Sequence, residues 1–204
     1  MTPGSLVRPI LITLLVAASV ATANDSYQTH CAHCHGVAGQ GNHALRAPNL
    51  TLQSESYIKR QLQGFKEGWR KGDDKYAQSM MTAIAMLDAA NLDGATRAIE
   101  ALPDTLNLPV ATNSGNKARG KDLYIAYCSA CHGTNATGND ALGAPNLLGL
   151  SSHYLNRQYL QFAEGKRGAH PNDRYGQQMA RLTRAVKDPQ LIDDISTYVA
   201  SLAE

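Results

Sequence analysis

Two strings, Cys31-Ala32-His33-Cys34-His35 and Cys128-Ser129-Ala130-Cys131-His132, stand 97 positions apart and use all 4 cysteines of the chain. Thiols at this spacing add to the two vinyl groups of a haem while the next imidazole ligates the iron. The pattern therefore predicts covalent c-type haem attachment at Cys31, Cys34, Cys128 and Cys131, and iron ligation by His35 and His132. A thioredoxin-like redox pair or half a zinc site accounts for either CxxC alone. Neither explains a histidine in the same place twice. With every thiol committed to a thioether, no disulfide is expected.

An iron held by one histidine has an open sixth position, and its occupant decides the chemistry. In the second half, Met179 is the one methionine after residue 86, and it falls 47 residues beyond His132. It follows a predicted helix, in a stretch rich in Gly, Pro and Asn that reads as a loop. In the first half Met80, Met81 and Met86 compete. Repeat register favours Met80 over Met81, and Met86 reads as core packing. His30, His33, His43, His153 and His170 remain, none with a histidine counterpart in the other half. All five read as exposed or structural, with His170 the best challenger to Met179.

These residues sit in an internal duplication. At an offset of 97, Tyr27 meets Tyr124, Gly41 meets Gly138, and Ala47-Pro48-Asn49-Leu50 meets Ala144-Pro145-Asn146-Leu147. Arg60-Gln61 then meets Arg157-Gln158, Phe65 meets Phe162, Gly68 meets Gly165 and Arg70 meets Arg167. Two extra residues enter the second copy before Tyr76 aligns with Tyr175 and Met80 with Met179. Each copy predicts a helix running into CxxCH, a Gly/Asn-rich loop, the Ala-Pro-Asn-Leu turn, a helix, a loop carrying the methionine, and a closing helix. For the second closing helix, Asp188 reads as the N-cap and Pro189 as the first helical residue. Leu191, Ile195, Val199 and Leu202 form its apolar stripe. No strand pattern is visible, so the class is all-α.

The ends and joints bound the organisation. Residues 1–23 read as a signal peptide: Arg8 supplies the positive region, Ile10 to Val20 the apolar run, and Ala21-Thr22-Ala23 the cleavage site. The run is short for a bilayer span, which needs about 20 apolar residues. Residues 24–103 are expected to form the first domain, 104–116 a linker, and 117–204 the second domain. Leu106, Leu108 and Val110 suggest that the linker lies along the domain surfaces. The formal charge of the 204-residue chain is +2. Losing Arg8 and gaining four propionates turns it mildly acidic, and no basic stripe points to nucleic acid.

The combination resembles the di-haem cytochrome c4 family, exported bacterial carriers built of two class I cytochrome c domains. The similarity spans nearly the whole mature chain: both CxxCH-Gly strings, both Ala-Pro-Asn-Leu turns, the Gly-x-Arg pairs and a methionine before each closing helix. It implies His35 with Met80 and His132 with Met179 as axial pairs, and the Pro48 and Pro145 carbonyls as acceptors for the two imidazoles. It also brings Arg70 and Arg167 toward haem propionates. The implied function is non-enzymatic periplasmic electron transfer, for example from a quinol-oxidising complex to a terminal oxidase. Partners would be redox proteins, including other cytochromes, with peripheral membrane association allowed. The alternatives are a haem subunit of a larger dehydrogenase or a di-haem enzyme such as a peroxidase. The first domain departs most from the pattern. Its opening helix is short, Ala98 stands where the second domain has Tyr198, and Gly94 interrupts its closing helix at a cost of roughly 1 kcal/mol relative to alanine. It is expected to be the less stable domain.

Overall fold

A computed structural model describes residues 26–106, 115–186, 188 and 190–203. Residues 1–25, which include the expected signal peptide, and residues 107–114, including Leu108 and Val110, lie outside the described residues. Helical residues 26–30 lead into α1 (Ala32–His35), followed by α2 (Glu55–Lys66), α3 (Lys75–Ala85) and α4 (Ala89–Glu100). The second half repeats the order with α5 (Lys117–Tyr127), α6 (Ser129–His132), a 3-10 turn (Asp140–Leu142), α7 (Ser152–Ala163), α8 (Arg174–Ala185) and α9 (Leu191–Ala200). Among the described residues there is no strand, only the bridges Asn42↔Ala47 and Asn139↔Ala144 at equivalent places. None of the described helices is long and apolar enough to cross a membrane.

The helices start where side chains satisfy free backbone donors. Ser54 and Ser151 cap α2 and α7, and Asp74 and Asp173 cap α3 and α8, so equivalent helices share a cap chemistry. Each such cap contributes about 1 kcal/mol. Asn116 caps α5 by accepting from Arg119 N–H, as the polar run before it predicts.

Both halves bury a tyrosine completely. Tyr27 and Tyr124 are 0% exposed, and each donates its hydroxyl to a glycine carbonyl, Gly36 or Gly133, at 2.6 Å. Around Tyr124 the second half gathers nine buried apolar residues, while the first gathers five around Tyr27. The second half also locks its first and last helices together. A Cβ on Gly120 would come 2.0 Å from Asp194 O, so glycine permits the crossing of α5 over α9. Arg119 bridges Asp188 and the buried Asp194, and Tyr124 packs on Tyr198 with ring centroids 5.6 Å apart. The first half has Ala98 in place of that second ring, and a Ser26–Asn91 hydrogen bond of 3.0 Å.

Several sequence expectations need correction. The methionines are in helices, not loops: Met80 and Met81 on α3, Met179 on α8. The Gly/Pro/Asn-rich stretch ends at Asp74 or Asp173, and the Ala-, Gln- and Met-rich run behind that cap is a good helix former. Met86 is 82% exposed and does not pack in the core. Regular α9 starts at Leu191. Asp188 still accepts the Gln190 N–H at 3.0 Å, and Pro189 lies outside the described residues. The start of the linker does run along the first half, where Thr105 O accepts from Asn49 Nδ2 at 2.6 Å and Thr105 N donates to Thr51 Oγ1 at 3.1 Å.

Candidate haem sites

Each CxxCH string winds into one helical turn that presents its groups alike. Cys31 and Cys128 are half-buried, and Cys34 and Cys131 are exposed. Burial pushes the Cys31 thiol up to about 11 and the Cys128 thiol to about 12. That is the reverse of a disulfide-exchanging CxxC, which depends on a depressed thiol pKa. Among the described residues no group of three or more His, Cys, Asp or Glu side chains is placed to hold a metal ion.

The histidines are 6% exposed in both halves. His35 Nδ1 lies 3.0 Å from Pro48 O and His132 Nδ1 lies 2.9 Å from Pro145 O. A carbonyl only accepts, so Nδ1 carries the proton and the lone pair is left on Nε2. Burial lowers the pKa of both rings, outweighing the proline contact that raises it, and keeps them neutral. A buried, neutral, oriented imidazole with its Nε2 lone pair available is suited to ligate an iron, and the carbonyl partner increases its basicity.

Local sequence builds this geometry. The Gly41 N–H donates to His35 O, and the Gly138 N–H to His132 O, both at 2.8 Å. The paired bridges then fold Pro48 and Pro145 back over the imidazoles. Gly41 and Gly138 share φ +84, and a Cβ there would meet Asn49 N at 2.8 Å or Asn146 N at 2.7 Å. Only glycine fits the close approach.

Met80, Met81 and Met179 are all half-buried. Burial therefore does not choose between Met80 and Met81, which point about 100° apart around α3. His170 is committed elsewhere, stacked on Trp69 while its Nδ1 accepts from Asn172 N–H. His30, His33, His43 and His153 are exposed.

Sequence reasoning matched Arg60-Gln61 to Arg157-Gln158 and Arg70 to Arg167 but did not see that the copies meet. Gln61 Oε1 accepts from Arg70 Nη1 at 3.0 Å and from Arg167 Nη2 at 2.9 Å. Gln158 Oε1 accepts from Arg167 Nη1 at 2.6 Å and from Arg70 Nη2 at 3.0 Å. Flanking this square, Arg60 donates to Gly143 O at 2.9 Å and covers Tyr175, while Arg157 donates to Arg46 O at 3.3 Å and covers Tyr76. The halves thus join through a pseudo-two-fold seam of arginines. Its signal in the sequence was polar identity in both copies at positions along α2 and α7. Arg157 Nε and Nη1 and Arg167 Nε are buried there without an acceptor from the chain.

The family model for Cytochrome c matches residues 20–96 and 117–203. Cytochrome c4 of Stutzerimonas stutzeri is 31% identical over 74% of this chain and 76% of its own length. The "Thiosulfate dehydrogenase electron acceptor" of Stutzerimonas stutzeri (strain A1501) is 28% identical over 85% of this chain and 79% of its own length. The crystal structure of reduced recombinant cytochrome c4 from Pseudomonas stutzeri superposes with a TM-score of 0.69 at 23% identity, covering 89% of this chain and 97% of that one. Two matching cytochrome c segments, a CxxCH string in each and the shared tandem helical fold make this chain a member of the di-haem cytochrome c4 family, with two covalently bound c-type haems.

Proposed function

We propose that the chain is an exported, periplasmic electron carrier working between redox proteins. Its donor would be a quinol-oxidising complex or a dehydrogenase, and its acceptor a terminal oxidase or another cytochrome. The observation that carries the reading is the duplicated imidazole geometry: two buried, neutral histidines with Nδ1 spent on Pro48 O or Pro145 O and Nε2 free.

In this reading Cys31 and Cys34 hold one haem by thioethers, and Cys128 and Cys131 the other. His35 and His132 would ligate the two irons, with Met80 and Met179 as the second ligands and Met80 preferred to Met81 on repeat register. When bound, the haems supply one-electron chemistry, with a thioether ligand raising the potential. The chain's part would be to supply both iron ligands, keep the imidazoles neutral and exclude water. The arginine seam fits the group as well. A buried guanidinium N–H needs an acceptor, and the propionates would supply one to Arg157 Nη1 and Arg167 Nε, which have no hydrogen-bond acceptor within the chain.

A dedicated acceptor for one dehydrogenase is a narrower version, favoured by relatives named as electron acceptors of thiosulfate dehydrogenase. The test is the visible spectrum of the dithionite-reduced protein before and after carbon monoxide. An unchanged spectrum is expected. A haem that takes up carbon monoxide would show an open or labile site and favour a di-haem enzyme.

A further inference from the structure

The solvent side of α8 carries Arg174, Arg181 and Arg184, all exposed, and the helix contains no acidic residue. Among the described residues, none of these three arginines makes a hydrogen bond, an ion pair or a ring contact. Neighbouring carboxylates are already engaged: Asp173 accepts the Gly176 N–H, Glu164 pairs with Lys166, and Asp188 pairs with Arg119. Arg174 and Arg181 are seven residues apart and so lie nearly in line, with Arg184 one turn further; the stripe runs about 15 Å along the helix. Helical periodicity turns Met179 and the buried Gly176 and Thr183 away from Arg174 and Arg181, while Arg184, four residues after the buried Ala180, lies at the edge of the stripe.

The first half has no such stripe. In the equivalent helix α3 the positions are Lys75, Thr82 and Ala85, and the lysine lies against the Tyr76 ring at 5.1 Å. The two copies share Met80 and Met179 on this helix, and only the second copy is cationic at the exposed positions. Structural need does not explain this, since the arginines hold nothing in place.

We infer that the arginine face of α8 is the docking surface for an acidic redox protein, so that exchange with that partner runs through the second haem domain. This rests on the electron-carrier reading above. Guanidinium groups match surface carboxylates in fork geometry, and an uncompensated cationic patch steers an acidic partner and accelerates encounter. A membrane surface fits less well, because a lipid-bound helix needs apolar side chains beside its cations. The large exposed apolar residues lie elsewhere, at positions such as Val37, Met86, Ile125 and Tyr127.

The test uses the holoprotein and reduced cytochrome b5, an acidic haem protein, as the probe in stopped-flow electron transfer, with ferricyanide as a small control oxidant. The R174Q/R181Q/R184Q variant should keep the wild-type spectrum but lose about ten-fold in rate at low salt, together with most of the salt dependence. K71Q/K75Q, which neutralises exposed cations on the first half, should stay near the wild-type rate. A triple variant as fast as wild type, or an equal loss in K71Q/K75Q, overturns the assignment. So does loss of binding to phosphatidylglycerol vesicles with the cytochrome b5 rate unchanged, which would make the face a membrane contact. If the wild type exchanges electrons with neither cytochrome b5 nor ferricyanide, the carrier reading itself has failed.

Discussion

Trp69 and His170 stack across the two halves, with ring centroids 5.4 Å apart and planes 7° from parallel. At the repeat offset of 97, Trp69 corresponds to Lys166 and Asp73 to His170. Lys166 and Asp73 also meet, as an ion pair of 2.7 Å. Two places related by the pseudo-two-fold therefore carry different chemistry, an aromatic stack on one side and an exposed ion pair on the other.

Salt should act on one side only. An exposed ion pair contributes at most about 1 kcal/mol and is screened at high ionic strength, whereas stacking is not. The wild type should keep its radius of gyration from low to high salt, and Trp69→Ala should keep it at low salt. Trp69→Ala at high salt should expand. Small-angle scattering on the four combinations checks this, and an expansion of the wild type in salt would assign the seam to electrostatics.

Acid should loosen the same seam. The bond to Lys166 lowers the pKa of Asp73, and the Ser54 and Ser56 hydroxyls lower that of Asp140, both below the 3.8 of an ordinary aspartate. A depressed carboxylate pKa stabilises the contact above the unfolded value and loses that stabilisation as pH falls through the folded value. Both contacts cross between halves, so contact between the halves should weaken below the ordinary aspartate range. D73N/D140N should show a flatter response in a pH series of scattering measurements.

The two halves should unfold unequally. Nine buried residues, the Tyr124–Tyr198 contact and the Arg119 bridge hold the second half, against five buried residues and Ala98 in the first. In guanidinium the first haem environment is expected to be lost at lower denaturant than the second. Tyr198→Ala, costing about 3 kcal/mol, should narrow or reverse that order. Haem absorbance against denaturant reads it directly, and one shared transition for the wild type would contradict it.

Thioether ligation makes a sharp prediction at three residues. Met80→Leu and Met179→Leu should each open one iron to carbon monoxide and lower one of the two reduction potentials, while Met81→Leu should leave both unchanged. Redox titration with carbon monoxide difference spectra on each variant separates these outcomes. A loss at Met81 in place of Met80 would reassign the first ligand.

Much of the fold and its sites was legible because covalent chemistry imposes strict spacing. CxxCH fixes four thiols and two imidazoles, the repeat register aligns Gly41 with Gly138, and the family resemblance supplies the Pro48 and Pro145 carbonyls. Helix boundaries near the methionines were misread because the loop composition before Asp74 and Asp173 was carried past the cap into a run of helix formers. The seam left only a faint mark, the repeated Arg60-Gln61 and Arg157-Gln158. Gln61 accepting from Arg167, or Trp69 stacking on His170, joins residues about a hundred positions apart, and no local pattern encodes how one copy turns to face the other.

Lys66 shows how far the copies have diverged in holding the methionine helix. Its ammonium donates to Leu87 O at 2.6 Å and Ala85 O at 3.1 Å, with Ile84 O at 3.5 Å, so one cation clamps the C-terminal carbonyls of α3 from α2. Position 163, its counterpart, is alanine, and there Tyr159 reaches Val186 O at 3.4 Å instead. Removing the clamp strips a cation from the negative end of a helix and frees its terminal acceptors, at a cost of about 1–2 kcal/mol. Lys66→Met should therefore fray α3 and weaken methionine ligation in the first haem alone. In the ferric protein, the far-red band of thioether-ligated haem should bleach at lower temperature for one haem and hold for the other. Equal bleaching of both would mean that Lys66 supports the whole seam, not the methionine helix.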